Sequence, residues 1–253
     1  MSDKSLHSSI IKHFCEKYNI TVEEKCIDDL AVLTDELLEY NSHTNLTAVR
    51  DERDVVIKHH ADSLAFLSSK LFCDGAKVID VGCGAGFPGL PLKIARPGID
   101  ISFLDSTEKK LKFTRLACEK LGAECTVLPM RAEEAANKPE MRESFDLAVS
   151  RAMANLPVLC ELCLPFVKKG GLFVAYKGAK AADIQNPESE LSMAKRGISQ
   201  LGGKVEDIIY YDLCDFYDGE DEDKKHCLII IRKEKNTPKE FPRRYAQIIK
   251  KPL

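Results

Sequence analysis

Seven short β-rich runs, beginning at Lys77 and separated by helical stretches, constrain the fold of this chain more than any other feature. The runs read KVIDV, DISFLD, ECTVL, FDLAVS, GLFVAYK, KVEDIIYY and HCLIIIRK. Between the first five lie stretches long enough for crossover helices, over residues 90–95, 109–121 and 156–167, with a shorter connection over 131–141. A crossover helix returns the chain parallel to the strand it left, so this part of the sheet is predicted to be parallel. The last two runs are joined by the acid-rich segment 212–223, too polar for a crossover helix, which predicts an antiparallel hairpin at the sheet edge. The fold class is therefore α/β, a seven-stranded, mostly parallel sheet.

Upstream, residues 5–40 carry apolar side chains at helical spacing: Ile10, Ile11 and Phe14, then Ile27, Leu30, Val32, Leu33, Leu37 and Leu38. Two helices are expected, the second opened by a Thr21–Glu24 capping box and closed near Asn41. A length of 253 residues suits one main domain with a smaller appendage. The division expected is a helical segment over 1–70, a core over 71–232 and an irregular basic tail over 233–253.

The N-terminus MSDKSLHSSIIKHF has no apolar signal region, and no stretch approaches the roughly 20 apolar residues of a membrane span. Ten cysteines at irregular spacing fit a reducing, cytoplasmic setting without structural disulfides. Cys160 and Cys163 sit at i,i+3 in a predicted helix, lack a second ligand pair, and read as buried helix cysteines, so no metal is expected. The net charge of −3 averages over an acidic 212–223 and a basic stretch from Arg232 onward.

The run Val78-Ile79-Asp80-Val81-Gly82-Cys83-Gly84-Ala85-Gly86-Phe87-Pro88-Gly89 joins a buried strand to a helix through a glycine-rich turn. Such a turn lies at the carboxyl edge of a parallel sheet, where ligands bind. Gly84, Gly86 and Gly89 can be read as GxGxxG, which leaves a dinucleotide-dependent oxidoreductase open. Asp80 two residues before Gly82 instead gives the D-x-G-x-G-x-G pattern that resembles methyltransferase motif I, and the seventh strand fits that class. Asp105, ending the second strand, is placed to accept hydrogen bonds from ribose hydroxyls, or else to cap the next helix. Arg131-Ala132-Glu133 follows the third strand, where an adenine edge would be held.

Carbon-5 pyrimidine methylation calls for a Pro-Cys nucleophile and exocyclic amino methylation for an [Asp/Asn]-Pro-Pro-[Tyr/Phe] segment; the chain has neither. After its fourth strand stands Val149-Ser150-Arg151-Ala152-Met153-Ala154-Asn155, with an arginine over the expected pocket. A nucleophile with an available lone pair, such as guanine N7, needs no general base.

Five blocks in this order, Asn41 to Ala48, Lys58 to Leu64, Asp80 to Gly89, Ser150-Arg151-Ala152 and Tyr176-Lys177-Gly178, resemble the glucose-inhibited division protein B family, the 16S ribosomal RNA guanine-N7 methyltransferases. The resemblance covers most of the chain. It implies a Rossmann-like class I methyltransferase fold, S-adenosylmethionine as cofactor, and 16S rRNA or the small ribosomal subunit as partner. It implies cofactor contacts at Gly82, Phe87, Ala132, Glu133 and Arg151; motif I adds Asp80, Gly84 and Gly86, and the general methyltransferase pattern adds Asp105. Arg151 and Lys177 are candidates for positioning the target nucleotide, with Phe87 or Tyr176 packing on cofactor or base. The tail departs from relatives, which resemble Pro-Arg-Lys-x-Gly-Thr-Pro where this chain has Phe241-Pro242-Arg243-Arg244-Tyr245-Ala246-Gln247.

For RNA, the candidates are Asn45, Arg50, His59, Lys177, Arg243 and Arg244. Residues 232–253 hold eight Lys or Arg against two Glu, enough for salt-dependent phosphate contacts. Asn45 also suits a turn and His59-His60 also suit packing. A class I methyltransferase acting on a protein or small molecule remains a rival reading at this point.

Overall fold

The computed structural model describes residues 2–217 and 222–253. Seven strands form one sheet: β1 (Lys77–Val81), β2 (Asp100–Asp105), β3 (Thr126–Pro129), β4 (Phe145–Arg151), β5 (Val167–Gly178), β6 (Gly203–Asp212) and β7 (Lys225–Lys233), in the order β3-β2-β1-β4-β5-β7-β6. β1 to β5 pair in parallel, and β7 inserts antiparallel between β5 and β6. Val78, Ile79 and Val81 in β1 and Ile229, Ile230 and Ile231 in β7 are sealed from solvent, as expected of strands covered on both faces. The antiparallel β6–β7 edge predicted from the sequence is present; positions 218–221 of its acidic connection lie outside the described residues.

The two N-terminal helices and the crossover helices come in the expected places, with bounds set by local chemistry. α1 (Lys4–Lys17) is capped by Asp3, which accepts from the Ser5 and Leu6 amides. α2 (Glu24–Thr44) does not have the predicted Thr21–Glu24 capping box: its N-cap is Glu23, and the Glu24 carboxylate is engaged by Lys12. Nor does it stop at Asn41. That side chain is buried and ties down Thr47 and Val49, so the helix runs on until Asn45 adopts a left-handed φ of 53°. α3 (Glu52–Val55), a π-helical turn Val56–Ala61 and α4 (Asp62–Leu64) then lead into the sheet.

α5 (Gly89–Ala95), α6 (Glu108–Leu121), the short α7 (Ala132–Ala135) and α8 (Leu156–Cys163) supply the crossovers. α8 gives way to a 3₁₀ turn at Leu164–Phe166 that contains Pro165, which has no amide to continue the ladder. α9 (Glu190–Gln200) precedes β6. The tail is not irregular: it contains α10 (Tyr245–Lys250), and buried Phe241 and Ile248 join the core cluster on the α8 side of the sheet. Cys160 and Cys163 are buried in α8, as read from the sequence. Among the described residues, no helix is long and apolar enough to cross a membrane.

Candidate functional site

Strand order reverses between β1 and β4, which opens a crevice at their carboxyl ends. The glycine loop after β1 fills one side of it. Gly82 and Cys83 both donate to the Leu104 carbonyl, at 2.8 and 3.1 Å, so the loop is tied to the end of β2. Gly82 has φ +70°, and a Cβ there would stand 2.6 Å from the Met153 sulfur, so only glycine fits both the turn and the approach of the β4 loop. Asp105 clamps the same loop from β2, accepting from the Gly84 amide at 3.0 Å and from Thr107 at 2.7 Å.

Asp80 lies beneath this loop and is completely buried. Its Oδ2 accepts from the Gly89 amide at 2.8 Å, while Oδ1 has no partner. Burial pushes the carboxyl up to about 7; the Gly89 bond and the Arg151 charge offset part of the rise, and Asp105 adds to it. A buried carboxylate one partner short, under a glycine loop, is an unfilled demand for positive charge or a donor.

The resulting cleft encloses about 290 Å³. Of the predicted cofactor residues, Gly82, Asp105, Ala132 and Glu133 line it. Asp80 near the end of β1 and Gly84 and Gly86 in the loop lie beside it, Arg151 lines a neighbouring cavity, and Phe87 packs on His59 of that cavity's wall. Arg131, from the run expected beside the adenine, lines it as well; the rest of the wall was not singled out from the sequence: Ser106, Thr107 and Lys110 at the start of α6, Met130 after β3, Met153, and Tyr245 from the tail. Hydroxyls and a carboxylate at one end, with methionines and an aromatic ring among the lining, fit a nucleoside with a charged substituent. The expected S-adenosylmethionine meets those requirements.

A second cavity of about 480 Å³ adjoins the first, and Ala152, with φ 52°, lines both. Its centre is Arg151. The guanidinium donates to Asp62 at 2.6 Å, to the Lys58 carbonyl at 3.0 Å and to His59 Nδ1 at 3.2 Å, and lies 5.5 Å from the centre of the Phe87 ring. Because His59 Nδ1 accepts from an arginine, its proton sits on Nε2, which donates to Thr47. Burial, reinforced by Arg151, holds the His59 pKa down at about 3, so this imidazole is neutral. It stacks on Phe87 with ring centres 4.7 Å apart. The π-helical turn provides the register: consecutive His59 and His60 face the cavity wall and the helical core, where His60 meets Thr34 at 2.7 Å.

Lys177 lines the same cavity, but its amine is engaged by Glu190 and the Ala154 carbonyl, both at 2.6 Å. Tyr176 is almost fully buried and donates to the Ser63 carbonyl. Asp62, Tyr211 and His226 complete the wall; none was singled out from the sequence, although Asp62 falls within the Lys58 to Leu64 block. Among the described residues, no group of three His, Cys, Asp or Glu is arranged to hold a metal ion.

The remaining RNA candidates divide by exposure. Asn45 and Arg50 are exposed and bonded to each other at 2.8 Å. Arg244 is exposed, whereas Arg243 is committed to Glu161, a fully buried carboxylate of α8, through three guanidinium bonds of 2.8, 3.2 and 2.5 Å. Of the eight cations over 232–253, Lys233 is also buried and Arg232 pairs with Glu206, leaving Lys235, Lys239, Arg244, Lys250 and Lys251 exposed.

Comparison with known proteins agrees with this geometry. Residues 27–206 match the family described as rRNA small subunit methyltransferase G, GidB. The ribosomal RNA small subunit methyltransferase G of Alkaliphilus oremlandii is 42% identical over 96% of this chain and 98% of its own. That of Clostridium novyi is 39% identical with both chains fully covered. Among solved structures, the [4+2]-cyclase SpnF aligns with a TM-score of 0.53 at 16% identity, covering 81% of this chain and 93% of its own. The precorrin-6y C5,15-methyltransferase of Geobacter metallireducens aligns with a TM-score of 0.50 at 17% identity, covering 68% and 87%. One fold thus carries a cyclase and a methyltransferase, so the fold alone does not choose the reaction. Full-length relationship and family match do: the chain belongs to the rRNA small subunit methyltransferase G family.

Proposed function

We propose that this protein transfers a methyl group from S-adenosylmethionine to N7 of a guanine in 16S rRNA, acting in the cytoplasm on the small ribosomal subunit or its RNA. The observation that carries the reading is the junction at the end of β4, where Arg151 and Ala152 join a nucleoside-sized cleft to a second cavity lined by cationic and aromatic side chains. When bound, S-adenosylmethionine supplies an electrophilic methyl carbon. Asp105, Ser106 and Thr107 are the residues to hold its ribose, and Ala132 and Glu133 its adenine.

Guanine N7 attacks with a lone pair and loses no proton, so the protein needs to align the base and exclude water rather than supply an acid–base pair. Arg151, immobilised by Asp62 and Lys58, is the group to orient the base. Tyr176 gives the cavity an aromatic wall, Phe87 backs the His59 ring that lines it, and Lys177 supports the Ala154 turn beside it. The exposed cations of the 233–253 tail and Arg50 are the groups to contact phosphates, which position an RNA without reading its sequence.

The test is transfer of labelled methyl from S-adenosylmethionine to small subunits lacking the modification. Arg151→Ala is expected to lower kcat/KM by about a hundredfold, the scale at which small misplacements act. Wild-type rates in Arg151→Ala and Lys177→Ala would remove the positioning role, and an inactive wild type would remove the RNA substrate.

A further inference from the structure

Asp62 is a carboxylate with only 4% of its side chain exposed, and three side chains from three strands converge on it. Oδ1 accepts from the Tyr211 hydroxyl of β6 and from His226 Nδ1 of β7, each at 2.7 Å; Oδ2 accepts from Arg151 of β4 at 2.6 Å. The fourth neighbouring strand, β5, holds the next residue through the Tyr176–Ser63 bond of 2.8 Å. The short helix carrying Asp62 is therefore bolted to the sheet edge where the second cavity opens. A free arginine side chain samples many rotamers, and one held by a carboxylate, a carbonyl and an imidazole is ordered before substrate arrives.

We propose that Asp62 is a positioning residue of the acceptor cavity, gathering Arg151, Tyr211 and His226 so that the guanidinium is fixed at the junction of the two cavities and the proton on His226 sets the cavity's charge. The charge argument is arithmetic. Asp62 and Arg151 cancel, so the core of the cavity is neutral when His226 is neutral and carries one positive charge when it is protonated. His226 Nδ1 donates to Asp62 in either state, leaving the other ring nitrogen to gain and lose the proton. The groups around it are Asp62 from α4, Arg151 from β4, the Tyr211 ring 5.5 Å away on β6, and the Asp223 backbone, with Lys58 of the π-helical turn, Lys177 of β5, Asp223 and Lys224 lining the same cavity. Burial opposes protonation, but the bond to Asp62 and its charge outweigh burial and raise the His226 pKa above its ordinary value. The cavity thus carries one more positive charge toward acid pH, when it best receives an anionic RNA, and loses that increment as the pH rises.

The inference rests on the RNA-methylation reading and is tested on the full chain with unmethylated small subunits and labelled S-adenosylmethionine. Asp62→Asn is expected to lower kcat/KM for the subunit by at least about tenfold, while S-adenosylhomocysteine binding by calorimetry stays within about twofold. In the wild type, KM for the subunit should rise by about threefold or more between pH 6 and pH 9, on the scale of losing one nearby charge. His226→Gln keeps a donor toward Asp62 without a titrating group and should flatten that rise. Wild-type transfer by Asp62→Asn, an equal loss of cofactor affinity, or an unchanged pH profile in His226→Gln would each overturn the proposal. Should Asp62→Asn fail to fold, the His226→Gln profile decides alone. An inactive wild type would instead overturn the substrate reading on which the proposal stands.

Discussion

Asp80 yields a stability prediction that can be worked from the structure and needs no substrate. Its carboxyl is raised from 3.8 to about 7 by burial, with Gly89 as the sole partner of one oxygen and none on the other. A carboxyl with a raised pKa binds its proton more tightly in the folded state, so its effect on stability runs against the usual acidic residue. Below the unfolded value it contributes no penalty; as pH rises through 3.8 and on to about 7, the unfolded state ionises first and the fold loses stability. Between pH 5 and pH 8.5 these two pKa values give a loss of about 2–3 kcal/mol, an order-of-magnitude figure. Asp80→Asn keeps an oxygen for Gly89 and cannot ionise. It leaves an amide short of a partner, at a cost of about 1–3 kcal/mol that does not depend on pH. The quantity to measure is therefore the change with pH in the difference between the two proteins. Urea denaturation at pH 5 and pH 8.5, without cofactor, should show the variant gaining about 2–3 kcal/mol on the wild type between the two, because the other titrating groups cancel in the comparison. Parallel pH profiles would refute the claim that Asp80 is a buried carboxyl short of a counter-charge.

Asp105→Ala removes the clamp on Gly84 and the expected ribose acceptor, and should weaken S-adenosylhomocysteine binding by about tenfold or more in calorimetry, the worth of a charge-assisted bond. Gly89→Ala would place a Cβ 2.5 Å from the Phe103 ring and 2.7 Å from Asp80 Oδ2; a loss of about 1–3 kcal/mol in urea denaturation is expected, as for other overpacked cores. Arg243→Ala strands the fully buried Glu161. It should cost about 3 kcal/mol of stability and change the salt dependence of RNA binding little. Arg244→Ala should do the reverse, lowering the slope of log affinity against log salt by about 0.7–1 in a filter-binding series.

The fold was largely legible because β-runs and helix periods are local signals. The glycine motif likewise carries its own geometry: Gly82, Gly84 and Gly86 all take the positive φ that the spacing implied. Arg151 was legible from its place at the end of a predicted strand. Its partners were not. Tyr211 and His226 reach Asp62 across 149 and 164 residues, and only the antiparallel insertion of β7 brings them to the same edge. The difference between His59 in the site and His60 in the core depends on a π-helical turn that no hydrophobic pattern announces. The tail read as an irregular basic segment because cations dominate its composition. Phe241, Ile248 and the distant Glu161 instead fold it onto α8, and Tyr245 thereby reaches the cofactor cleft.

The central claim is the identity of the methylated atom, and nucleoside mass spectrometry tests it most directly. Small subunits from cells lacking the activity, incubated with this protein and labelled S-adenosylmethionine and then digested to nucleosides, should carry the label in 7-methylguanosine. Label in a methylated cytidine or adenosine, or transfer confined to protein, would contradict the account.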